Sequence, residues 1–370
     1  MNKFLEQVNP WVKNLGTYEP GRPIEEVARD LGFKDASLIS KLASNENSLG
    51  PSPRALKAMR DAASEMHRYP DGNAYYLKNA IATKLDVKPG QILPANGSNE
   101  LLELMGHAFL GPDSGIVMAD RAFVVYKLIA ATFRASVVSV PMKNYTHDLP
   151  AMLAAIKPET KIVFIANPNN PTSTMVDEKA LDLFVKYVPE KIIVCIDEAY
   201  IELLPPSKQP DTLKYVKQDR NVVLMRTFSK TYGLAGLRIG YAIAPESCIG
   251  LLNKVRQPFN VNSMALAAAE AALTDDRYVD RIRKMVAEGI VYFEKEFRRL
   301  GLPYVPAVVN FILVEVGNGR DIFEKLMKEG LIVRPMDGYM LPKHVRITIG
   351  TKRENKKCIS ALEKVLRRGM

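Results

Sequence analysis

Cysteine, histidine and tryptophan are scarce in this chain: three, four and one in 370 residues. Cys195, Cys248 and Cys358 are too few and too widely spaced for a disulfide framework or a cysteine metal site. Cys195 falls inside the apolar run Ile192–Ile196 and reads as a small buried hydrophobe. The histidines share no ligand spacing, which argues against zinc, so no metal is expected. No apolar run approaches the ~18–20 residues that span a bilayer. No signal-peptide pattern opens the chain. A soluble, cytoplasmic protein with no membrane partner is therefore expected. The 22 glycines and 24 prolines follow no period, which excludes collagen-like and low-complexity chains.

What is present is ordinary globular material. Hydrophobic residues make up 47% and charged residues 25% of the chain, enough apolar mass to offset the entropy of ordering. The length suggests two domains at roughly 100–200 residues each. Lys and Arg exceed Asp and Glu by 51 to 41, a formal charge of +10. A polyanion partner and a basic surface that draws in small anions both fit such an excess. The cations are spread out, and their densest clusters (Lys352-Arg353, Lys356-Lys357, Arg367-Arg368) fall in a C-terminal helical pattern. The second reading is therefore preferred, and no nucleic acid is expected.

Helical periodicity runs over Ile24–Leu31, Pro53–Met66, Tyr75–Leu85 and Ser98–Leu110. Short β-branched runs then appear at Gly115–Met118, Ser136–Val140, Ile162–Ile165, Ile192–Ile196, Val222–Leu224 and Ile239–Ile243. Most gaps between them can hold helices. Such alternation predicts an α/β fold, with a mainly parallel sheet flanked by helices. Beyond about Thr274 a long helix, Arg277–Leu300, opens a smaller α+β module. The expected division is an N-terminal arm over 1–45, a large domain over 46–272 and a small C-terminal domain over 273–370.

Four segments carry candidate chemistry. Thr227–Arg238 places Lys230 beside Ser229, just past a strand and among glycines, which suits a reactive amine next to an anion. A solvated loop lysine would look the same. Asp197 closes an apolar strand, where open α/β sheets place ligands, although an acid there also serves as a helix cap. Asn167–Thr172 follows another strand; turn chemistry alone accounts for its Asn and Pro residues. Ala95–Glu100 leads into a leucine-rich helix, whose first N–H groups make either a plain cap or a phosphate cradle.

Taken together and in this order, the four segments resemble the fold-type I pyridoxal-phosphate aminotransferases, with a closer likeness to the histidinol-phosphate branch. Further family-like stretches are Tyr18–Arg29, Lys41–Asn47, His67–Tyr76, Arg256–Asn262 and Arg346–Thr351. The likeness therefore covers essentially the whole chain. It implies a large cofactor-binding domain with a smaller C-terminal one, pyridoxal 5'-phosphate as cofactor, and a homodimer with shared sites. The implied reaction is amino-group exchange between small anionic substrates, L-histidinol phosphate and 2-oxoglutarate.

The resemblance also implies residue roles. Lys230 bonds the cofactor aldehyde and then moves the proton; Asp197 partners the ring nitrogen; Asn170 and Tyr200 meet the ring hydroxyl. Phe123 stacks on the ring. Gly97, Ser98, Asn99, Ser229 and Arg238 bind the cofactor phosphate, joined by Tyr69 of the other subunit. Arg334 and Arg346 bind substrate anions, with Tyr18 and Asn47 on the substrate side.

Departures from the family pattern are Ser48 in place of proline, Arg121 in place of proline two residues before Phe123, and Ser173 in place of glycine. Aromatic amino-acid aminotransferases and threonine-phosphate decarboxylases share the same cradle and are the alternatives on this fold. A cofactor-binding transcription regulator would need an N-terminal DNA-binding domain, for which the sequence before the catalytic pattern is too short.

Overall fold

The computed structural model describes residues 3–17 and 21–367. A two-residue strand, β1 (Ser40–Lys41), precedes seven strands of one sheet: β2 (Ile92–Ala95), β3 (Gly115–Ala119), β4 (Ser136–Val140), β5 (Thr160–Ala166), β6 (Ile193–Asp197), β7 (Val222–Thr227) and β8 (Gly240–Ile243). Their spatial order is β2-β8-β7-β6-β5-β3-β4. The pairs among β7, β6, β5, β3 and β4 are parallel, whereas β8 runs antiparallel to β7 and to β2. The central strands β6 and β7 are buried along their whole length, which is why they read as unbroken apolar runs.

Helices cover the sheet. The alanine-rich helix Ser263–Leu273 packs against both Pro53–Ala62 and Tyr75–Leu85. Its small side chains let three helices approach closely, and they leave it with no apolar stripe for a sequence reading to find.

The 25-residue helix Asp276–Leu300 leads to a second, antiparallel sheet. Its strands are β9 (Tyr304–Val305), β10 (Phe311–Glu315), β12 (Arg334–Pro335) and β13 (His344–Thr348), in the order β12-β13-β10-β9. Between β10 and β12 lies β11 (Leu331–Ile332), which pairs in parallel with β1. Helices Gly319–Lys328 and Lys352–Arg367 back this unit.

Two cores result. The larger surrounds the seven-stranded sheet. The smaller gathers Phe293, Phe297, Ile312, Ile347 and Leu362, together with Val27, Ala28, Ile39 and Leu42 from the N-terminal segment. The segment from Ile24 to Ala43 thus lies on the C-terminal unit, helix Ile24–Leu31 being closed by Gly32 at φ +69°. A third cluster joins the cores, packing Tyr200, Ile201 and Leu203 against Ile282, Val286, Val309 and Phe311.

Candidate active site

The C-terminal ends of the parallel strands meet at one rim, where an open α/β sheet leaves a crevice. A cavity of about 420 Å³ lies there, and side chains from both sheets line it. Asp197 is the last residue of β6. Lys230 stands three residues past the end of β7. Asn170 follows β5, Phe123 follows β3, and Ser98 and Asn99 begin the helix after β2. Arg346 of β13 and Arg334 of β12, paired in register, close the cavity from the smaller unit.

Asp197 is buried, and its carboxylate has two donors. The Tyr126 hydroxyl donates to Oδ2 at 2.7 Å and the Ala199 amide to Oδ1 at 3.1 Å. Burial pushes its pKa up to about 6, and the Tyr126 bond opposes that rise. Tyr126 itself is fully buried, stacked on Phe164 at 4.6 Å and edge-on to Phe123 at 5.7 Å. The sequence reading missed it. The only available signal was its place three residues after Phe123, just inside the helix that begins at Val125.

Lys230 donates from Nζ to the Ser44 carbonyl at 2.9 Å. Burial, and next the Arg346 charge, lower its pKa to about 8. A sizeable neutral fraction is thus available near physiological pH, as an amine nucleophile requires. Its Nζ lies 5.8 Å from the Tyr200 ring centre. The Tyr200 hydroxyl accepts from Asn45 Nδ2 at 2.9 Å, and burial raises its pKa to about 12.

On the same cavity wall the chain forms an anion cradle. The 12-residue helix Ser98–Phe109 starts from Gly97 at φ +79°. A Cβ on Gly97 would stand 2.5 Å from Arg238 Nη2, and one on Gly240 would stand 2.9 Å from the Ser98 amide. Only glycine leaves this space open. Arg238 donates from Nη1 to Ser229 Oγ at 3.5 Å and to the Ala235 carbonyl at 3.0 Å. Helix-start amides, a hydroxyl and a guanidinium therefore converge on one point, as a phosphate requires.

On the small-unit side, Arg346 is buried. It donates from Nη2 to the Ala43 carbonyl at 2.6 Å and from Nη1 to Asn170 Oδ1. Its guanidinium lies over the Phe311 ring at 5.4 Å. The Asn170 carbonyl oxygen thus faces an arginine, while Asn45 takes the Tyr200 hydroxyl. Asn47 is not among the cavity-lining residues; it donates to the Thr231 carbonyl at 3.0 Å and accepts from the Leu49 amide. Asn45 does line the cavity. Two asparagines two residues apart look alike in sequence, and only the +54° φ of Asn45, which asparagine tolerates, sets it apart. Tyr69 also lies outside this chain's cavity lining. It is 82% exposed and stacked on Phe259 at 4.8 Å. Tyr18 lies outside the described residues.

Behind the rim sits a buried polar cluster. Glu198 accepts from Arg226 Nε at 2.8 Å and from Thr212 Oγ1 at 2.5 Å, linking the ends of β6 and β7. Glu202 is buried near them, with no hydrogen-bond partner for either carboxyl oxygen among the described residues. Burial raises its pKa to about 7, against the pull of Arg226. No described group of three or more His, Cys, Asp or Glu side chains is arranged to hold a metal.

A buried acid, a lysine of lowered pKa, an aromatic wall and a glycine-opened anion cradle fit pyridoxal 5'-phosphate group by group. With the two-unit α/β architecture they define a pyridoxal-phosphate-dependent transferase of fold type I. The model of the family "Aminotransferase class I and II" matches residues 39–362. The chain is 48% identical to histidinol-phosphate aminotransferase 2 of Pseudomonas fluorescens over 367 residues, 99% of both chains. It is also 48% identical to histidinol-phosphate aminotransferase of Akkermansia muciniphila over 359 residues, 97% of this chain and 98% of that one. The solved histidinol-phosphate aminotransferase of Sinorhizobium meliloti, in complex with pyridoxal-5'-phosphate, superposes with a TM-score of 0.90 at 28% identity, covering 98% of each chain. The chain belongs to the class I and II aminotransferases, in their histidinol-phosphate aminotransferase family.

Proposed function

We propose that this chain exchanges an amino group between L-histidinol phosphate and 2-oxoglutarate, giving imidazole-acetol phosphate and L-glutamate, a step of histidine biosynthesis. The observation that carries the reading is near-complete coverage at 48% identity by relatives named for that substrate. Two poles of positive charge on one cavity support it. The cradle around Arg238 on the larger unit suits the cofactor phosphate, and Arg334 and Arg346, paired on the smaller sheet, suit a second anion. A phosphate ester and a dicarboxylate can both be held there, because forked guanidinium donors match either group.

When bound, pyridoxal phosphate supplies an aldehyde for amine capture and a ring that draws electrons from the neighbouring carbon. Asp197 is ionised above about pH 6 and would stabilise a proton on the ring nitrogen. Phe123 would cover the ring face, and Asn170 and Tyr200 would meet the ring hydroxyl. Gly97, Ser98, Asn99, Ser229 and Arg238 hold the phosphate. Lys230 would hold the aldehyde end of the group, and its Nζ, freed, would take up and return a proton. Arg346 and Arg334 fix the far end of the substrate, which sets the bond that faces Lys230. Asn47 supports this region through the Thr231 carbonyl, next to Lys230.

The same reading makes the protein a cytoplasmic homodimer, in which the exposed Tyr69 reaches the cofactor phosphate of the other subunit. It divides the chain into an arm over 1–45, a large domain over 46–272 and a small domain over 273–370. The test is a half-reaction: loaded enzyme mixed with histidinol phosphate converts to the pyridoxamine absorbance, whereas phenylalanine leaves it largely unchanged. Faster conversion with phenylalanine, or release of carbon dioxide from a threonine phosphate, would overturn the substrate assignment.

A further inference from the structure

Ser173 is fully buried and sits at φ +60°. That backbone region carries a steric cost for any residue with a Cβ. The loop that imposes it is closed on itself. The Ser173 amide donates to the Asn169 carbonyl at 2.9 Å, the Asn169 amide to the Thr174 carbonyl at 2.8 Å, and Asn169 Nδ2 to Thr172 Oγ1 at 2.8 Å. A side chain kept at such a position needs a compensating contact.

The hydroxyl makes one. Ser173 Oγ accepts from the amides of Val308 and Val309, each at 3.2 Å, and the Val308 amide also reaches the Ser173 carbonyl at 3.2 Å. These amides belong to the segment that enters β10. Just beyond them, Asn310 Nδ2 donates to the Asn45 carbonyl at 3.0 Å. Phe311 then lies beneath the Arg346 guanidinium and against Tyr200, with its ring centre 5.0 Å from that of Tyr200. One buried oxygen thus joins the loop carrying Asn170 to the strand that supports Arg346, and Asn170 and Arg346 bond each other across the same junction.

We propose that Ser173 is a positioning residue: its hydroxyl clasps the entry of β10 to the Asn170 loop and so holds Arg346 at the substrate end of the cavity. The inference rests on the reading of Arg346 as a substrate-anion residue. A glycine here would adopt the same backbone without cost and provide no clasp.

Two substitutions separate the clasp from the strain. Ser173→Ala removes the acceptor and keeps the strained backbone; Ser173→Gly removes both. In the cofactor-free chain, amide hydrogen exchange at Val309 is expected to quicken about tenfold in either variant, the loss of one buried hydrogen bond. In the loaded enzyme, KM for histidinol phosphate is expected to rise about three- to tenfold with kcat within about twofold, because binding geometry loosens while Lys230 is untouched. Ser173→Gly is expected to melt above Ser173→Ala, having shed the strain. Unchanged exchange at Val309, or quickened exchange with an unchanged KM, would overturn the proposal. If Ser173→Ala does not fold, Ser173→Gly decides by the same two readings. Arg346→Ala, measured alongside, tests the underlying reading separately: a parental KM there removes the substrate role of Arg346, whatever Val309 does.

Discussion

Replacing Tyr126 by phenylalanine deletes one oxygen and leaves the stack on Phe164 in place. The lost interaction is the 2.7 Å hydrogen bond to Asp197. A bond to a charged acceptor is worth about 1.5–3 kcal/mol, and about 1.4 kcal/mol moves a titration by one on the pH scale. Burial raises the Asp197 pKa and Tyr126 restrains it, so the variant carboxyl holds its proton to a higher pH, by about one to two on that scale. On the proposed reading of Asp197, cofactor binding needs the ionised carboxylate. In the parent, affinity weakens as pH falls through about 6; in the variant the decline begins earlier. At pH 6.5 the variant's cofactor dissociation constant is expected to exceed the parent's by about three- to twenty-five-fold, and at pH 9 the two converge. Equilibrium dialysis of cofactor-free protein across pH 5–9 measures this. The Lys230 titration is common to both proteins and cancels in the ratio. Superimposable pH curves would refute the claim that Tyr126 sets the charge state of Asp197.

Three further outcomes are expected. Lys230→Ala loses the lysine-linked cofactor absorbance and at least about 10²–10⁴ of turnover, read by spectrum and steady-state rate. Arg346→Lys raises KM for histidinol phosphate by about ten- to a hundredfold, because the fork toward Asn170 and Ala43 cannot be rebuilt by a single ammonium. Glu202→Gln removes an acid whose folded pKa, about 7, lies above its ordinary 4.5. Such a group favours the folded chain below pH 4.5, and that contribution is lost as pH rises to 7. Between pH 4.5 and 8 the stability difference should therefore move about 3 kcal/mol toward the variant, measured by denaturant titration of the cofactor-free protein.

The large sheet was legible because its central strands are buried on both faces and must be apolar throughout, and because Asp197 and Lys230 stand at strand ends. Strand β2 was not, since Pro94 interrupts Ile92–Ala95. The sheet order explains the exception: β2 is an edge strand, where a proline's missing N–H costs little. The two-residue strands of the smaller unit are too short to show any period. Within the site, the lysine, the acid and the cradle could be read because their chemistry is bound to local motifs. Tyr126 and Asn45 could not, because their importance lies in partners 71 and 155 residues away. Ser173 stood out in sequence only as an irregularity; its amide partners come from the other end of the chain.

The docking of β1 on β11 bears on synthesis. Ser40 pairs with Leu331, so the N-terminal strand leaves the ribosome 291 residues before its mate. At about 5–20 residues per second that interval is on the order of 15–60 s. Throughout it Val27, Ile39 and Leu42 have no native surface to cover them, while the seven-stranded sheet behind them can already assemble. The nascent chain must shelter its own beginning until its final quarter emerges.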